Sequence, residues 1–371
     1  MKIVLVAAAR PNFMKIAPLM RAIQQHNASS PSNPIQPLLV HTGQHYDYKM
    51  SQVFFEELGI PSPGIHLGIG SGTHAEQTGN VLIEFERLLL REKPGLVLVV
   101  GDVNSTLAAS LAAVKIHIPV AHVEAGLRSF DKEMPEEINR MLTDAISDYL
   151  FTPSPDADQN LINEGIPKER IFCVGDIMVD SLLYNLAKAE RSEVLSALNL
   201  SKKGYALLTL HRPSNVDDKA SFLQILDALE EIGGHIQVVF PAHPRTNKMI
   251  TQHGLHSRLA GLANRIKVIE PVGYLDFLNL QMNCRFVMTD SGGIQEETTV
   301  LNIPCLTLRN TTERPITIAE GTNTLVWGSS RKIAAEAMKI IEGKYKKGGC
   351  PENWDGKTAE RVVKIITRYT R

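Results

Sequence analysis

The sequence is short of cysteine and of net charge, and these shortages remove whole classes of protein. Its four cysteines, Cys173, Cys284, Cys305 and Cys350, stand too far apart for a CxxC metal or redox motif, and nothing marks the chain as secreted and disulfide-bonded. They read as buried thiols. Lys and Arg number 39 against 40 Asp and Glu, a formal net charge of -1. The field of basic side chains that follows a nucleic-acid backbone is therefore missing, and any phosphate must be held locally. No apolar run approaches the roughly 20 residues that span a bilayer. Lys2 with Ile3 to Ala9 briefly resembles a signal peptide. That run stops at Arg10 and Pro11 without a cleavage region of the usual form, so it reads as a buried first strand and the chain as cytoplasmic.

What remains is the composition of an ordinary enzyme, 43% hydrophobic and 21% charged over 371 residues. That length exceeds what one hydrophobic core usually supports, so two α/β domains are expected. Short apolar runs alternate with amphipathic stretches: Lys2–Ala8 then Met14–Gln25, Gln36–His41 then Lys49–Leu58, Leu96–Val100 then Ser105–His117. This is the pattern of βαβ units around a parallel sheet. Strands at Val120–Val123, Tyr149–Thr152 and Ile171–Val174 continue it. The rhythm restarts at Tyr205–Thr209, Ile236–Phe240, Lys267–Ile269, Phe286–Thr289 and Cys305–Leu308. The expected division is a first Rossmann-like domain over 1–176 and a second over 177–356, joined near Asp176 to Ser201. A C-terminal helix within 357–371 is expected to pack back on the first domain.

Polar residues cluster at the C-terminal ends of the apolar runs: Arg10, Gly101 with Asp102, Glu124, His211 with Arg212, His243, and Asp290 to Gly293. Ligands of open α/β sheets bind outside those ends. Turn chemistry alone would account for Gly, Asn and Ser there, but less well for recurring Arg, Glu and His. If the two domains face each other, these residues converge on one interdomain cleft.

The run Asp290–Ser291–Gly292–Gly293 with Ile294 to Glu297 follows a strand and opens a helix. Its glycines would let backbone N–H groups approach an anion such as a diphosphate, with Ser291 adding a hydroxyl and Glu296 or Glu297 accepting from ribose hydroxyls. A plain helix cap with acidic residues offsetting the dipole, worth about 0.3–1 kcal/mol, fits the same residues. Arg314, in Arg309 to Pro315, either clamps a phosphate or sugar hydroxyl or pairs with Glu313. Asp102, Glu124 and Glu136 are three carboxylates of the first domain, Glu136 behind the helix-opening Pro135. Each alone fits a salt bridge with Arg128 or Arg140 equally well, and only the group of three suggests catalysis. His211 and His243 occupy equivalent strand ends suited to a phosphate. Arg10 and Lys15 bracket the first helix start, where Lys15 is either a ligand contact or a solvated lysine.

Together these residues resemble the non-hydrolysing UDP-N-acetylglucosamine 2-epimerases over nearly the whole chain. The matching stretches are Arg10–Pro11 with Lys15 to Pro18, Gly101–Asp102, His122 to Arg128, Pro135 to Glu137 with Asn139–Arg140, His211–Arg212, Asp290 to Glu297 and Thr311 to Pro315. The resemblance implies a glycosyltransferase-B-like fold of two facing Rossmann-like domains, a homodimer, UDP-N-acetylglucosamine and UDP as ligands, and no cofactor or metal. It implies catalytic roles for Asp102, Glu124, Glu136 and His211. Asp102 and Glu136 would transfer protons, and Glu124 would give electrostatic support or relay a proton. UDP contacts carry over to Arg10, Lys15, Ser291, Gly292, Glu296 and Arg314, and the reading of the residues themselves adds Arg140, His243 and Gly293 as substrate contacts. A second, allosteric site of bacterial members would include Gln44 and His45. Three stretches depart from the family, the first at Tyr46 and Asp47, which diverge after Gln44 and His45. The family's Gly-Thr-Arg-Pro-Glu reads Ala8–Ala9–Arg10–Pro11–Asn12 here, and the acid after its His-Arg pair is replaced within Pro213–Ser214–Asn215. A glycosyltransferase of the same architecture and a non-catalytic UDP-sugar sensor are the competing readings.

Overall fold

Strand β1 (Lys2–Ala7) is buried along almost its whole length, as a strand covered on both faces must be, and it lies in the middle of a parallel sheet. The computed structural model describes residues 1–43 and 62–369. Among them β1 is followed by β2 (Gln36–His41), β3 (Ile65–His66), β4 (Leu96–Val100), β5 (Val120–Val123), β6 (Tyr149–Thr152) and β7 (Ile171–Cys173). A second series comprises β8 (Tyr205–Thr209), β9 (Gln237–Pro241), β10 (Ile266–Ile269), β11 (Phe286–Thr289), β12 (Cys305–Thr307) and β13 (Asn323–Leu325). The chain divides into two compact units, Met1–Leu183 with Glu352–Arg371, and Tyr184–Pro351.

The first unit carries the seven-stranded order β3-β2-β1-β4-β5-β6-β7 and the second the six-stranded order β10-β9-β8-β11-β12-β13. All pairs are parallel. Both are doubly wound Rossmann orders. The winding reverses between β1 and β4 in one unit and between β8 and β11 in the other, and such reversals open the ligand crevice of an open sheet. Side chains alternate strictly between two cores. In the second unit Ala206, Leu208, Val238, Phe240, Phe286 and Met288 enter one cluster, while Tyr205, Leu207, Val239 and Val287 enter the other.

Most elements lie where the apolar pattern places them. The first helix is the main difference, running Arg10–Ser29 rather than from Met14. Pro11 suits its first turn, and Asn12 Oδ1 accepts from the backbone N–H of Ala8 (3.2 Å) and Ala9 (2.9 Å). Asn12 Nδ2 also donates to the Val100 carbonyl (3.2 Å), tying the helix start to the end of β4. Asn12 is thus a brace across the reversal point. Strands β3 and β13 are too short to show a period. The expected helix Lys49–Leu58 lies outside the described residues. One expectation fails: Cys284 and Cys305 are buried, but Cys173 is only half-buried and Cys350 is exposed. Cys350 follows Gly348 and Gly349 in an irregular stretch outside any helix or strand. No helix among the described residues is long and apolar enough to cross a membrane.

Two details show how the first unit is closed. Pro18, inside the first helix, has no N–H to give the Met14 carbonyl, and the buried Ser181 hydroxyl donates to that oxygen instead. Asp180, one residue earlier on helix Ile177–Ala189, accepts from the N–H groups of Thr358 (3.1 Å) and Ala359 (2.8 Å), capping helix Thr358–Tyr369. The C-terminal segment is thereby held to the first sheet's unit through backbone groups that would otherwise be orphaned. Ser181→Ala should lower stability by about 1–3 kcal/mol, the cost of a buried acceptor left without a donor, read as an earlier midpoint in urea unfolding.

Candidate active site

The first unit's polar groups gather at the ends of β4 and β5. Gly101 turns the chain after β4 with φ +68, and Asp102 follows it. The Asp102 carboxylate, about one-third exposed, pairs with Arg140, whose Nε and Nη2 both lie 3.0 Å from Oδ2. Glu124 follows β5 in the left-handed region (φ +72), a conformation a non-glycine residue seldom takes. Its buried carboxylate pairs with buried Lys15, which excludes the solvated-surface reading of that lysine.

Glu136 is half-buried in the first turn of helix Pro135–Ile146. Its neighbour Glu137 is buried and committed elsewhere. Glu137 pairs with Arg140 and accepts from the N–H groups of Ser129 (3.0 Å) and Phe130 (2.8 Å). Adjacent acids in one sequence motif therefore divide into an available carboxylate and a structural one. Asn139 Nδ2 donates to the Asp102 carbonyl (2.9 Å) and to Asn104 (3.2 Å), fixing the backbone that carries Asp102. Arg10 opens the first helix at the end of β1.

In the second unit Asp290, fully buried at the end of β11, organises the loop after β8. It accepts from the N–H groups of His211 (3.0 Å) and Arg212 (2.9 Å), from Asn215 Nδ2 (3.0 Å) and from the His211 ring. Burial alone would raise its pKa, but the His211 ring and the backbone donors hold it below the ordinary aspartate value. Nδ1 of His211 lies 2.7 Å from Asp290 Oδ1, so the half-exposed imidazole turns Nε2 outward. The His243 ring lies 5.8 Å from that of His211. Burial, then the charge of His211, pushes the His243 pKa down. Its Nδ1 accepts from the Arg245 N–H (3.2 Å), which leaves Nε2–H as a neutral donor.

Ser291 occupies the N-cap position of helix Gly292–Val300 without a side-chain capping bond, and its N–H donates to Thr289 Oγ1 (3.0 Å). The two glycines differ in purpose. A Cβ on Gly292 would lie 2.6 Å from Arg314 Nη1 and 2.7 Å from Glu313 Oε1, so this glycine makes room for side chains. At Gly293 the nearest atom would be 4.0 Å away, leaving its backbone open to a ligand. Arg314 pairs with buried Glu296 and with Glu313 (2.7 Å). Glu313 also meets Arg309 (2.9 Å) and Arg212 (3.7 Å), making it the hub of three arginines. The sequence marks Glu313 only as a partner of Arg314, because nothing local announces a hub.

The structure thus brings Lys15, Asp102, Glu124 and Arg140 together around the ends of β4 and β5, with Arg10 and Glu136 opening neighbouring helices. It groups His211 with His243, and Glu296 with Gly292 and Arg314, at the ends of the second unit's strands. Gln44 and His45 lie outside the described residues.

The model of a family described as UDP-N-acetylglucosamine 2-epimerase matches residues 27–367. A UDP-N-acetylglucosamine 2-epimerase of Methanocaldococcus jannaschii is 46% identical over 372 residues, 99% of each chain. A UDP-2,3-diacetamido-2,3-dideoxy-D-glucuronate 2-epimerase of Pseudomonas aeruginosa is 43% identical over 371 residues, 99% of this chain and 100% of that one. The crystal structure of a Methanocaldococcus jannaschii UDP-GlcNAc 2-epimerase in complex with UDP-GlcNAc and UDP superposes with a TM-score of 0.88 at 46% identity. It covers 99% of this chain and 100% of that one.

Glu297, next to Glu296, points the other way, towards Tyr274 (3.3 Å). Burial, opposed by the Tyr274 hydroxyl, pushes its pKa up from 4.5 to about 7. A folded-state pKa above the unfolded one means that the folded protein holds the extra proton between those values. Stability from this group is full below pH 4.5, falls as pH rises towards 7, and is level above. Glu297→Gln should flatten that decline and raise stability at pH 8 by on the order of 3 kcal/mol, seen as a melting temperature that no longer drops across this window.

Proposed function

The chain belongs to the UDP-N-acetylglucosamine 2-epimerase family, and we propose that it interconverts UDP-N-acetylglucosamine and UDP-N-acetylmannosamine by eliminating and re-adding UDP through a 2-acetamidoglucal. The observation that carries this reading is the set of three carboxylates in the first unit, two of them held against cations at adjoining strand ends.

The carbon 2 hydrogen is not beside a carbonyl and is barely acidic, so the bond from carbon 1 to oxygen breaks well ahead of proton loss. Positive charge then develops at carbon 1 and the ring oxygen, where carboxylates stabilise it. Loss of the proton leaves its electron pair as the double bond between carbons 1 and 2, and UDP departs as an anion. Protonation on the opposite face of carbon 2 and attack of UDP on carbon 1 complete the inversion. The oxidation level of the sugar is unchanged throughout. In this scheme Asp102 and Glu136 act as the acid and base, and Glu124 provides electrostatic support or relays a proton. His211, steadied by Asp290, donates to the diphosphate together with Arg10 and the open helix start at Gly293. His243, Ser291 and Arg314 complete the nucleotide contacts, Glu296 accepts from the ribose, and Lys15 and Arg140 set the charge around the carboxylates. The working form is a homodimer in the cytoplasm.

The metal-free, nicotinamide-free protein should interconvert the two UDP-sugars, and in heavy water the product should carry deuterium at carbon 2. Retention of protium there would eliminate the mechanism. An acceptor-dependent reaction that leaves carbon 2 untouched would identify a glycosyltransferase, and tight UDP binding without exchange a sensor. Asp290→Asn removes the anion that orients His211 and should lower kcat by up to about 10⁴-fold, the loss seen when a catalytic-triad histidine loses its orienting carboxylate, in the same exchange assay.

A further inference from the structure

Helix Pro135–Ile146 is amphipathic in the wrong sense for a stabilising helix. Its buried residues are Glu137, Asn139, Arg140, Thr143 and Asp144, while Ile138 and Leu142 are exposed. A helix packed for stability turns its apolar stripe inward. Fully buried ions seldom stabilise a fold more than well-packed apolar residues of the same volume. The inward polar face therefore calls for a role beyond holding the helix in place.

Glu137 and Arg140 already reach the loop before the helix and the Asp102 carboxylate. Asp144, one turn further on, reaches His122, and both side chains are 0% exposed. His122 Nδ1 lies 2.6 Å from Asp144 Oδ1, and Nε2 lies 2.8 Å from the Gly101 carbonyl oxygen. Asp144 Oδ2 accepts from the Gly126 N–H (3.0 Å) and meets Arg128 Nη1 at 2.8 Å. Arg128 in turn grips Glu164 with two hydrogen bonds of 2.7 Å. Burial works against an ionised Asp144, but His122, Arg128 and the Gly126 N–H keep its pKa below the ordinary value. Both ring nitrogens of His122 thus face acceptors, and the imidazole joins two elements rigidly.

The backbone groups this pair holds are telling. Gly101 immediately precedes Asp102. Gly126 ends the Glu124–Ala125–Gly126 turn, where φ is +72 at Glu124 and +80 at Gly126. A Cβ at Gly126 would lie 2.4 Å from the Ala157 carbonyl, so the turn has no slack. We infer that His122 and Asp144 form a positioning pair that clamps the turns after β4 and β5, setting where the Asp102 and Glu124 carboxylates stand relative to each other. Both side chains are wholly buried, away from any ligand-accessible surface. Their effect is geometric, and a displacement of about 1 Å of a reacting group can cost about 10²-fold in rate.

The inference rests on the epimerase reading, and its test separates the two. His122→Gln and Asp144→Asn are compared with the unaltered protein in carbon 2 deuterium exchange, in UDP binding by calorimetry, and in amide hydrogen exchange. The clamp predicts that kcat falls about 10²-fold while the dissociation constant for UDP stays within about threefold. It also predicts faster amide exchange in the turns at 101–104 and 124–128. Asp144→Asn preserves the shape of the side chain and serves if the histidine variant does not fold. A lower melting temperature with kcat unchanged would show a purely structural pair and overturn the inference. Equal losses of UDP binding and kcat would overturn it too. Were the unaltered protein to exchange nothing at carbon 2, the epimerase reading would fail, while the amide exchange of Asp144→Asn would still judge the clamp.

Discussion

Both units depend on one constraint: their central strands are buried on two faces at once. Along β1, β4, β8 and β11 nearly every side chain is buried, and a charge there would cost several kcal/mol without a partner. Chemistry is therefore confined to the carboxyl ends of the strands, where the backbone leaves the sheet and ionisable side chains can meet ligand or water. The reversal of winding between β1 and β4, and between β8 and β11, spreads neighbouring connections apart and leaves those ends uncovered.

Placing reactive groups at strand ends creates a second problem, because loops are less rigid than strands. The first unit answers with buried polar contacts instead of extra apolar packing. Asn12 braces β1's following helix against β4, Asn139 holds the Asp102 carbonyl, and His122 with Asp144 ties Gly101 to Gly126. In the second unit one aspartate does comparable work, since Asp290 gathers two backbone N–H groups, an asparagine and the His211 ring. Such networks cost desolvation energy, and what they return is geometry.

Much of this is legible in the chain itself. The strands announce themselves because two-sided burial leaves continuous apolar runs, and the site residues because polar side chains recur where those runs stop. Boundaries are less legible. The first helix begins at Arg10, since Pro11 and Asn12 form a capped start that an apolar pattern does not display. The two glycines of the Asp290 to Glu297 motif look alike in sequence, yet one serves packing and the other leaves backbone open. Cys350 looks like the other thiols and is exposed, because exposure of a loop residue depends on what lies over it.

Local periodicity is enough to establish the parallel α/β class, the two series of strands and the residue types at their ends. It leaves open which of those residues are partners, and that is a matter of tertiary structure. His211 and Asp290 are 79 positions apart yet meet because β8 and β11 are neighbours in the sheet. Asp102 meets Arg140, 38 positions away, because helix Pro135–Ile146 turns its polar face towards the end of β4. Pairing across such distances is set by strand order and helix orientation, and no local pattern in the chain records either.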